Sequence, residues 1–255
     1  MKFEFGPFPC SRAVVLLLTL TGLCAWSGEA LAIAKYGRVN GNWGTAGTWS
    51  NVSCATAGAT TVPTAADAVT ICPGVTVTVA AAAVALSVDV QNTGTLTQTA
   101  STLTISGPLN VAGTHTCGNT LSVAGATTVA GLLTISATTG TKTFTGDVTI
   151  TGTWNETAAE AITFGGNLQN NGTLTTSTGL HTFSNAAPQI LGTAAISFGG
   201  AVTGTTALTI NKTAGAVTVT GALNVGAGGL TVTAGTLNLR NTTTVTGPTR
   251  PSPAR

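Results

Sequence analysis

At residues 102–113 the chain reads TLTISGPLNVAG, and at residues 142–152 it reads KTFTGDVTITG. Both stretches alternate apolar and small polar residues with period two on either side of a glycine, which is the pattern of a β-strand and not of a helix. Working outward, the same phrase recurs around Gly107, Gly125, Gly146, Gly166, Asn185, Gly200, Gly221 and Asn241, at intervals of 18, 21, 20, 19, 15, 21 and 20 residues. Two residues before each stands Ile105, Val123, Phe144, Phe164, Phe183, Phe198, Val219 or Leu239. A period near 20 marks a solenoid, here an all-β parallel β-helix of about eight coils over residues 81–247. Each coil alone buries too little to fold and depends on its neighbours. With strands about 4.8 Å apart, the array predicts a rod on the order of 40 Å long.

Gly and Asn enter positive φ cheaply, so their recurrence predicts a bend at one phase of the coil. Phe144, Phe164, Phe183 and Phe198 are expected to stack as an interior ladder. Leu109, Val148, Leu168, Val202 and Leu223 share a second inward phase.

Composition excludes some classes. Charged residues are 6% of the chain against about 25% in ordinary domains, and mean hydropathy is +0.40. The formal net charge is only +2, with no Lys/Arg cluster interleaved with aromatics, so a nucleic-acid partner is not expected. Residues 1–32 read as a signal peptide: Lys2 and Arg12 precede the apolar run AVVLLLTLTGLCAW, and Ala30-Leu31-Ala32 forms an A-x-A cleavage site. Cys24 follows Leu23 and lacks the small residue that a lipidation site wants just ahead of it. Beyond the leader no run of about 18 apolar residues predicts a membrane span. Export places the mature chain where disulfides persist.

Residues 33–80 differ in composition from the repeats, holding Trp43, Trp49 and the only tyrosine, Tyr36. They are expected to cap the array, whose first coil would otherwise expose core and strand edge. Cys54 and Cys72 are 18 residues apart, nearly one coil, and a bridge between them is expected to contribute about 3 kcal/mol. Cys117, in His115-Thr116-Cys117, reads as a loop thiol, because a lone H-x-C lacks the further ligands zinc requires. No metal or cofactor is called for. Residues 248–255, PTRPSPAR, carry three prolines and two arginines and read as a disordered tail.

Trp43 and Trp49, followed by Val62-Pro63-Thr64 and Asp67 and then by TLT-type coils with G-T turns, resemble bacterial secreted or cell-surface proteins with adhesin-like parallel β-helices. The resemblance covers most of the mature chain. It implies a right-handed, single-stranded β-helix with a surface or matrix role, and no chemistry. A second Asp often follows the first in such stretches; here Ala68 takes that place, which argues against calcium at Asp67. Such proteins usually run longer, so the chain is read as a short secreted solenoid or a piece of a longer surface protein.

The acidic residues after Ala32 are Asp67, Asp89, Asp147, Glu156 and Glu160. Glu156 and Glu160 lie close together in TWNETAAEAITF, which reads as a protruding loop. Trp154, Glu156 and Glu160 are therefore the candidate glycan-binding residues, since an aromatic plate beside carboxylates suits sugar rings. A carbohydrate-active enzyme of the lyase or hydrolase kind would need such a carboxylate pair. His115 and His181 sit in no recognisable nucleophile context, and Gly226, Gly228 and Gly229 are turn glycines with no helix after them. Thr-x-Thr recurs at Thr76, Thr95, Thr143, Thr149, Thr218 and Thr231; alignment on one flat face would suit an ice-binding solenoid, but these pairs fall at different phases, and exposed strands select threonine anyway. Five N-x-S/T sequons begin at Asn51, Asn155, Asn171, Asn211 and Asn241, and they mean little in a bacterial chain. The expected role is a non-catalytic structural or adhesive element, secreted or held at the cell surface, with an extracellular glycan or matrix protein as partner.

Overall fold

The computed structural model describes residues 33–251; residues 1–32, expected from sequence to be a signal peptide, and residues 252–255 of the expected tail lie outside the described residues. The chain winds into a parallel β-solenoid of about nine turns whose strands line three faces, most of them short, while Ala207–Val219 and Gly229–Leu239 each run as one strand across two faces. One turn shows the plan. Leu109–Val111 lies on the first face, Thr114–Cys117 on the second and Leu121–Val123 on the third, and the next turn repeats this with Thr127–Val129, Leu132–Ile135 and Lys142–Phe144. The third face is a separate sheet of nine strands, from Ala83–Ala85 to Thr243–Val245. Pairing is parallel and in register: Leu109 faces Val88 below and Thr127 above. Because strands alternate, every second side chain enters the interior, where a continuous apolar core runs from Trp43 to Leu230.

Three of the four predicted ladder residues stack. Phe144 and Phe164 have ring centroids 6.2 Å apart and Phe164 and Phe183 5.2 Å, each pair inclined by 23°. Phe198 leaves the column. It belongs to the second face, in register with Val219, and meets Phe183 edge-on at 6.2 Å. The short interval of 15 residues between Asn185 and Gly200 is the cause. Before it the repeated Gly lies at the corner between third and first faces; from Gly200 onward it lies between second and third. The second inward phase divides in the same way, Leu109, Val148 and Leu168 lying on the first face and Val202 and Leu223 on the third.

The repeated glycines also serve a different purpose from the one expected. None of the eight positions has a left-handed backbone. Stacking selects them instead, since a Cβ on Gly125 would lie 2.4 Å from the carbonyl carbon of Gly107, and one on Gly221 equally close to Gly200. A second column, Gly113, Gly131, Gly152 and Gly172, fills the corner between the first and second faces for the same reason; a Cβ on Gly131 would stand 2.1 Å from the oxygen of Gly113.

The N-terminal segment caps the array while already belonging to it. Ala34–Gly37 pairs in parallel with Ala68–Ile71, and Gly41–Asn42 with the strand Thr76–Val79, so the solenoid begins inside the predicted cap. Trp49–Ser50 then returns antiparallel against Tyr36 and Gly37 and covers the end strand. Trp43 and Trp49 close the core beneath it, packed edge-on at 5.0 Å, with the Trp49 indole donating to the Trp43 carbonyl at 2.7 Å. The Cys54–Cys72 disulfide is formed, its Cα atoms 5.6 Å apart. At the other end the predicted tail needs correction, because Thr249–Arg250 adds a further rung against Leu230 and Thr231. Pro248 and Pro251 flank that two-residue rung without having to donate within it.

The core sets a mutational contrast within one strand. Phe164→Ala is expected to destabilise by about 3–5 kcal/mol, whereas Thr163→Ala, pointing outward, should stay within about 0.5 kcal/mol. Equilibrium denaturation of the two variants beside the parent chain measures both.

Candidate functional site

The three candidate binding residues do not stand on a protruding loop. Thr153–Glu156 is a strand of the second face, and its period-two pattern sends Trp154 and Glu156 inward. Trp154 is fully buried between Leu133 and Leu174, 5.0 Å from the Phe144 ring and 6.0 Å from Phe164. Its indole N–H donates to Glu156 Oε1 at 3.2 Å. Glu156 Oε2 accepts the Ser177 N–H at 2.8 Å, and both carboxylate oxygens lie 3.1 Å from His181 Nε2. Glu160, on the turn that follows, is also buried; its Oε1 accepts the Ala158 N–H at 3.1 Å and its Oε2 has no partner. Trp154 and Glu156 are thus brought together in the core around a buried histidine.

His181, which sits in no recognisable nucleophile context in the sequence, is the buried partner of Glu156. Its signal was periodic, not chemical: His181-Thr182-Phe183 repeats Ile162-Thr163-Phe164 one coil earlier, so the histidine occupies an inward position. Its ring stacks on Phe164 at 6.5 Å and 12° and tilts against Phe198 at 4.9 Å.

Other polar groups share this interior. Cys117 is a fully buried strand residue in register with Gln98 and Ile135, which corrects the loop reading. Burial pushes its thiol up to about 11, far from the thiolate a nucleophile needs. The Gln98 amide donates to the carbonyls of Ser101 and Thr120. Lys142 takes an inward position between Leu121 and Ile162, and its ammonium donates to the carbonyls of Ala137 and Thr139 at 2.6 Å and of Gly140 at 3.2 Å. Lys212 does the same for Leu191 at 2.9 Å and Ala194 at 2.6 Å. Burial holds both lysines below the usual range.

With these titratable groups drawn inside, the second face is left largely to hydroxyls. On the second face one outward column runs Thr78, Thr97, Thr116, Thr134, Asn155, Thr175, Ser197, Thr218 and Asn238, each in register with the next. Beside it runs Thr76, Thr95, Thr114, Leu132, Thr153 and Thr173. Rungs of a sheet are about 4.8 Å apart and alternate residues of a strand about 6.6 Å, so the two columns form a rectangular hydroxyl net. Of the Thr-x-Thr pairs singled out in the sequence, those at Thr76 and Thr95 belong to this net and Thr218 extends its longer column. Thr143, Thr149 and Thr231 lie on other faces. The net is completed by Thr114 and Thr116, by Thr173 and Thr175, and by the mixed rungs at Leu132 and Thr153.

Among the described residues, no His, Cys, Asp or Glu groups gather in threes to hold a metal ion, and no helix is long and apolar enough to cross a membrane. No family model matches the chain, and comparison with curated proteins and with solved structures gives no significant match.

One buried group sets a pH response. His115 is enclosed between Leu96 and Leu133 with both ring nitrogens unpartnered, and burial lowers its pKa from 6.5 to about 4. Folding therefore disfavours the protonated ring. The stability associated with the neutral form is complete above pH 6.5 and is lost as pH falls toward 4. His115→Leu should flatten that part of the profile and raise stability at pH 7 by about 1–3 kcal/mol, the cost of leaving a buried polar group unsatisfied. Urea midpoints of parent and variant at pH 7 and pH 4.5 measure the difference.

Proposed function

We propose that this chain is an exported, non-catalytic structural and adhesive element, presented at a bacterial cell surface or released from it, whose second face is the contact surface. One observation carries the reading: a net of hydroxyl and amide groups in register on that face, with no ionisable side chain in either column. Repeated weak donors and acceptors on a rigid support suit an extended, repeating partner such as a glycan, where many shallow contacts add. The leader sequence and the likeness to adhesin-type β-helices support export and a surface role. The carbohydrate-active alternative has less support, because Trp154, Glu156 and Glu160 are enclosed in the core and an acid–base pair has to reach its substrate.

The alignment itself favours a second reading. A rectangular array of mainly threonine hydroxyls with two fixed repeats is an arrangement suited to ordering surface water, and this supports ice binding as the alternative use of the same face.

Binding of residues 33–255 to immobilised polysaccharides and matrix proteins, with reducing-end release followed in the same wells, tests the proposal. Saturable binding without product is expected, and the double substitution Thr116→Lys and Thr134→Lys should weaken it at least tenfold while leaving the circular dichroism unchanged. Product release would sink the non-catalytic reading. Binding indifferent to the two lysines would remove the second face from it, and ice shaping abolished by them would favour the alternative.

A further inference from the structure

The strand Ala34–Gly37 lies in register with Ala68–Ile71, Ala34 opposite Ala68. One residue earlier, Ile33 therefore stands beside Asp67, and its main-chain nitrogen is 3.1 Å from Asp67 Oδ1. The other carboxylate oxygen is held by Thr64, which donates its N–H at 2.8 Å and its hydroxyl at 2.9 Å. Asp67 in turn donates its N–H to the Thr64 carbonyl at 3.1 Å, closing the turn after Pro63. The carboxylate is 3% exposed, yet among the described residues it has no cation within ion-pair distance. The Lys35 ammonium is the nearest charge known to act on it and donates to the Thr61 hydroxyl instead. Burial acts to raise the Asp67 pKa; the Thr64 and Ile33 hydrogen bonds and the Lys35 charge outweigh it and hold the carboxyl below its usual value. Asp67 is thus a buried anion, well hydrogen-bonded, with one open charge requirement.

The nitrogen touching it is the atom that the predicted A-x-A cleavage would release. We infer that removal of the leader after Ala32 turns Ile33 into an α-ammonium that ion-pairs with Asp67, so that processing locks the N-terminal cap. The inference rests on the proposed export. The step is a hydrolysis: the Ala32–Ile33 C–N bond breaks, the hydroxyl of water joins the Ala32 carbonyl carbon, and its proton goes to the Ile33 nitrogen, which takes up a second from solvent. Before cutting, that nitrogen offers Asp67 one neutral hydrogen bond. After it, the same position carries a full positive charge, and charge-assisted bonds are roughly twice as strong. Asp67 thereby ties the start of the first strand to the turn that leads into the second coil, beside Ala34 and Lys35, the part of the end strand that Trp49–Ser50 leaves unpaired. Ile33 is 43% exposed, so solvent screens the pair and its effect is modest.

The full chain is expressed in a secreting bacterial host and the exported product sequenced from its N-terminus. Ile33 is expected as the first residue; a different first residue, or retention of the leader, overturns the inference at its premise. The product is then compared with a chain that keeps Ala30-Leu31-Ala32, each with and without Asp67→Asn. The processed chain should melt roughly 2–4 °C higher than the extended one, the shift expected for about 1 kcal/mol at this size. In the Asp67→Asn background the gap should close to below about 1 °C. An equal gap in both backgrounds, or none in the parent, overturns the lock while leaving export intact. Should Asp67→Asn not fold, the α-amino pKa measured by NMR decides: a value above that of the extended chain supports the pair, and an equal value removes it.

Discussion

The constraint on which the whole structure depends is the vertical spacing of the ladder. Backbone hydrogen bonds fix adjacent rungs at about 4.8 Å, so each residue sits directly above its counterpart one coil earlier and has to be compatible with it. Along the faces this is easily met, since side chains point away from the backbone and like packs on like, as the Phe144, Phe164 and Phe183 rings do. At the corners it is severe. Where the chain turns tightly, backbone lies against backbone and no Cβ fits, which is why two columns of glycine run up the solenoid, none of them at positive φ. The glycines record contact, not bending.

The same spacing explains the buried polar groups. A coil longer than its neighbours expels the surplus into a wide turn, and a wide turn leaves carbonyls without ladder partners. Residues 137–140 do this, and Lys142, from an inward position, places its ammonium among their oxygens; Lys212 does likewise for the Leu191 carbonyl near the end of a strand and the Ala194 carbonyl in the turn after it. An ammonium with three donors satisfies in one group what three separate side chains would otherwise have to reach. Desolvating that charge is costly, and the cost is offset only because it is fully hydrogen-bonded. Glu156 shows the same logic with the sign reversed, accepting from Trp154, Ser177 and His181. His115 has no such company and stands as an uncompensated polar group in the core.

These patterns separate what was legible in the sequence from what was not. The period, the solenoid, the Cys54–Cys72 bridge and the stacking of three phenylalanines follow from spacing alone, because consecutive coils there have nearly equal length. Spacing failed where coil length changed. The interval of 15 residues before Gly200 moved every later landmark by one face, so Phe198 was placed in the wrong column although its inward orientation was legible. Trp154 and Glu156 read as part of a loop because NETAAEA resembles a polar insertion. Yet Trp154, Asn155 and Glu156 alternate inward and outward as a strand does, and the turn begins only after them. The Thr-x-Thr pairs were legible one by one, but their alignment was not. Assigning a pair to a face requires the length of every preceding turn, and Thr143 and Thr149 obey the same local pattern as Thr114 and Thr116 while facing other directions.

Sorting residues by rung position also divides the molecule chemically. Most aromatic rings, the carboxylates of Asp67, Glu156 and Glu160, the imidazoles and the lysines Lys35, Lys142 and Lys212 are buried, where they hold turns and fill the core, while the second face presents mainly hydroxyls repeated at two fixed distances. A pocket recognises a ligand by different groups converging on it; this face offers similar small polar groups, mostly hydroxyls, in parallel rows. Such a surface discriminates by period, since a partner whose own donors and acceptors recur at the rung spacing meets every rung at once, and one with a different repeat falls out of step after a few. The adhesive and water-ordering readings are therefore two answers to one geometric condition, and they differ only in which repeating lattice, a polysaccharide or ice, matches the net set by Thr76, Thr95 and Thr114 along one column and Thr78, Thr97 and Thr116 along the other.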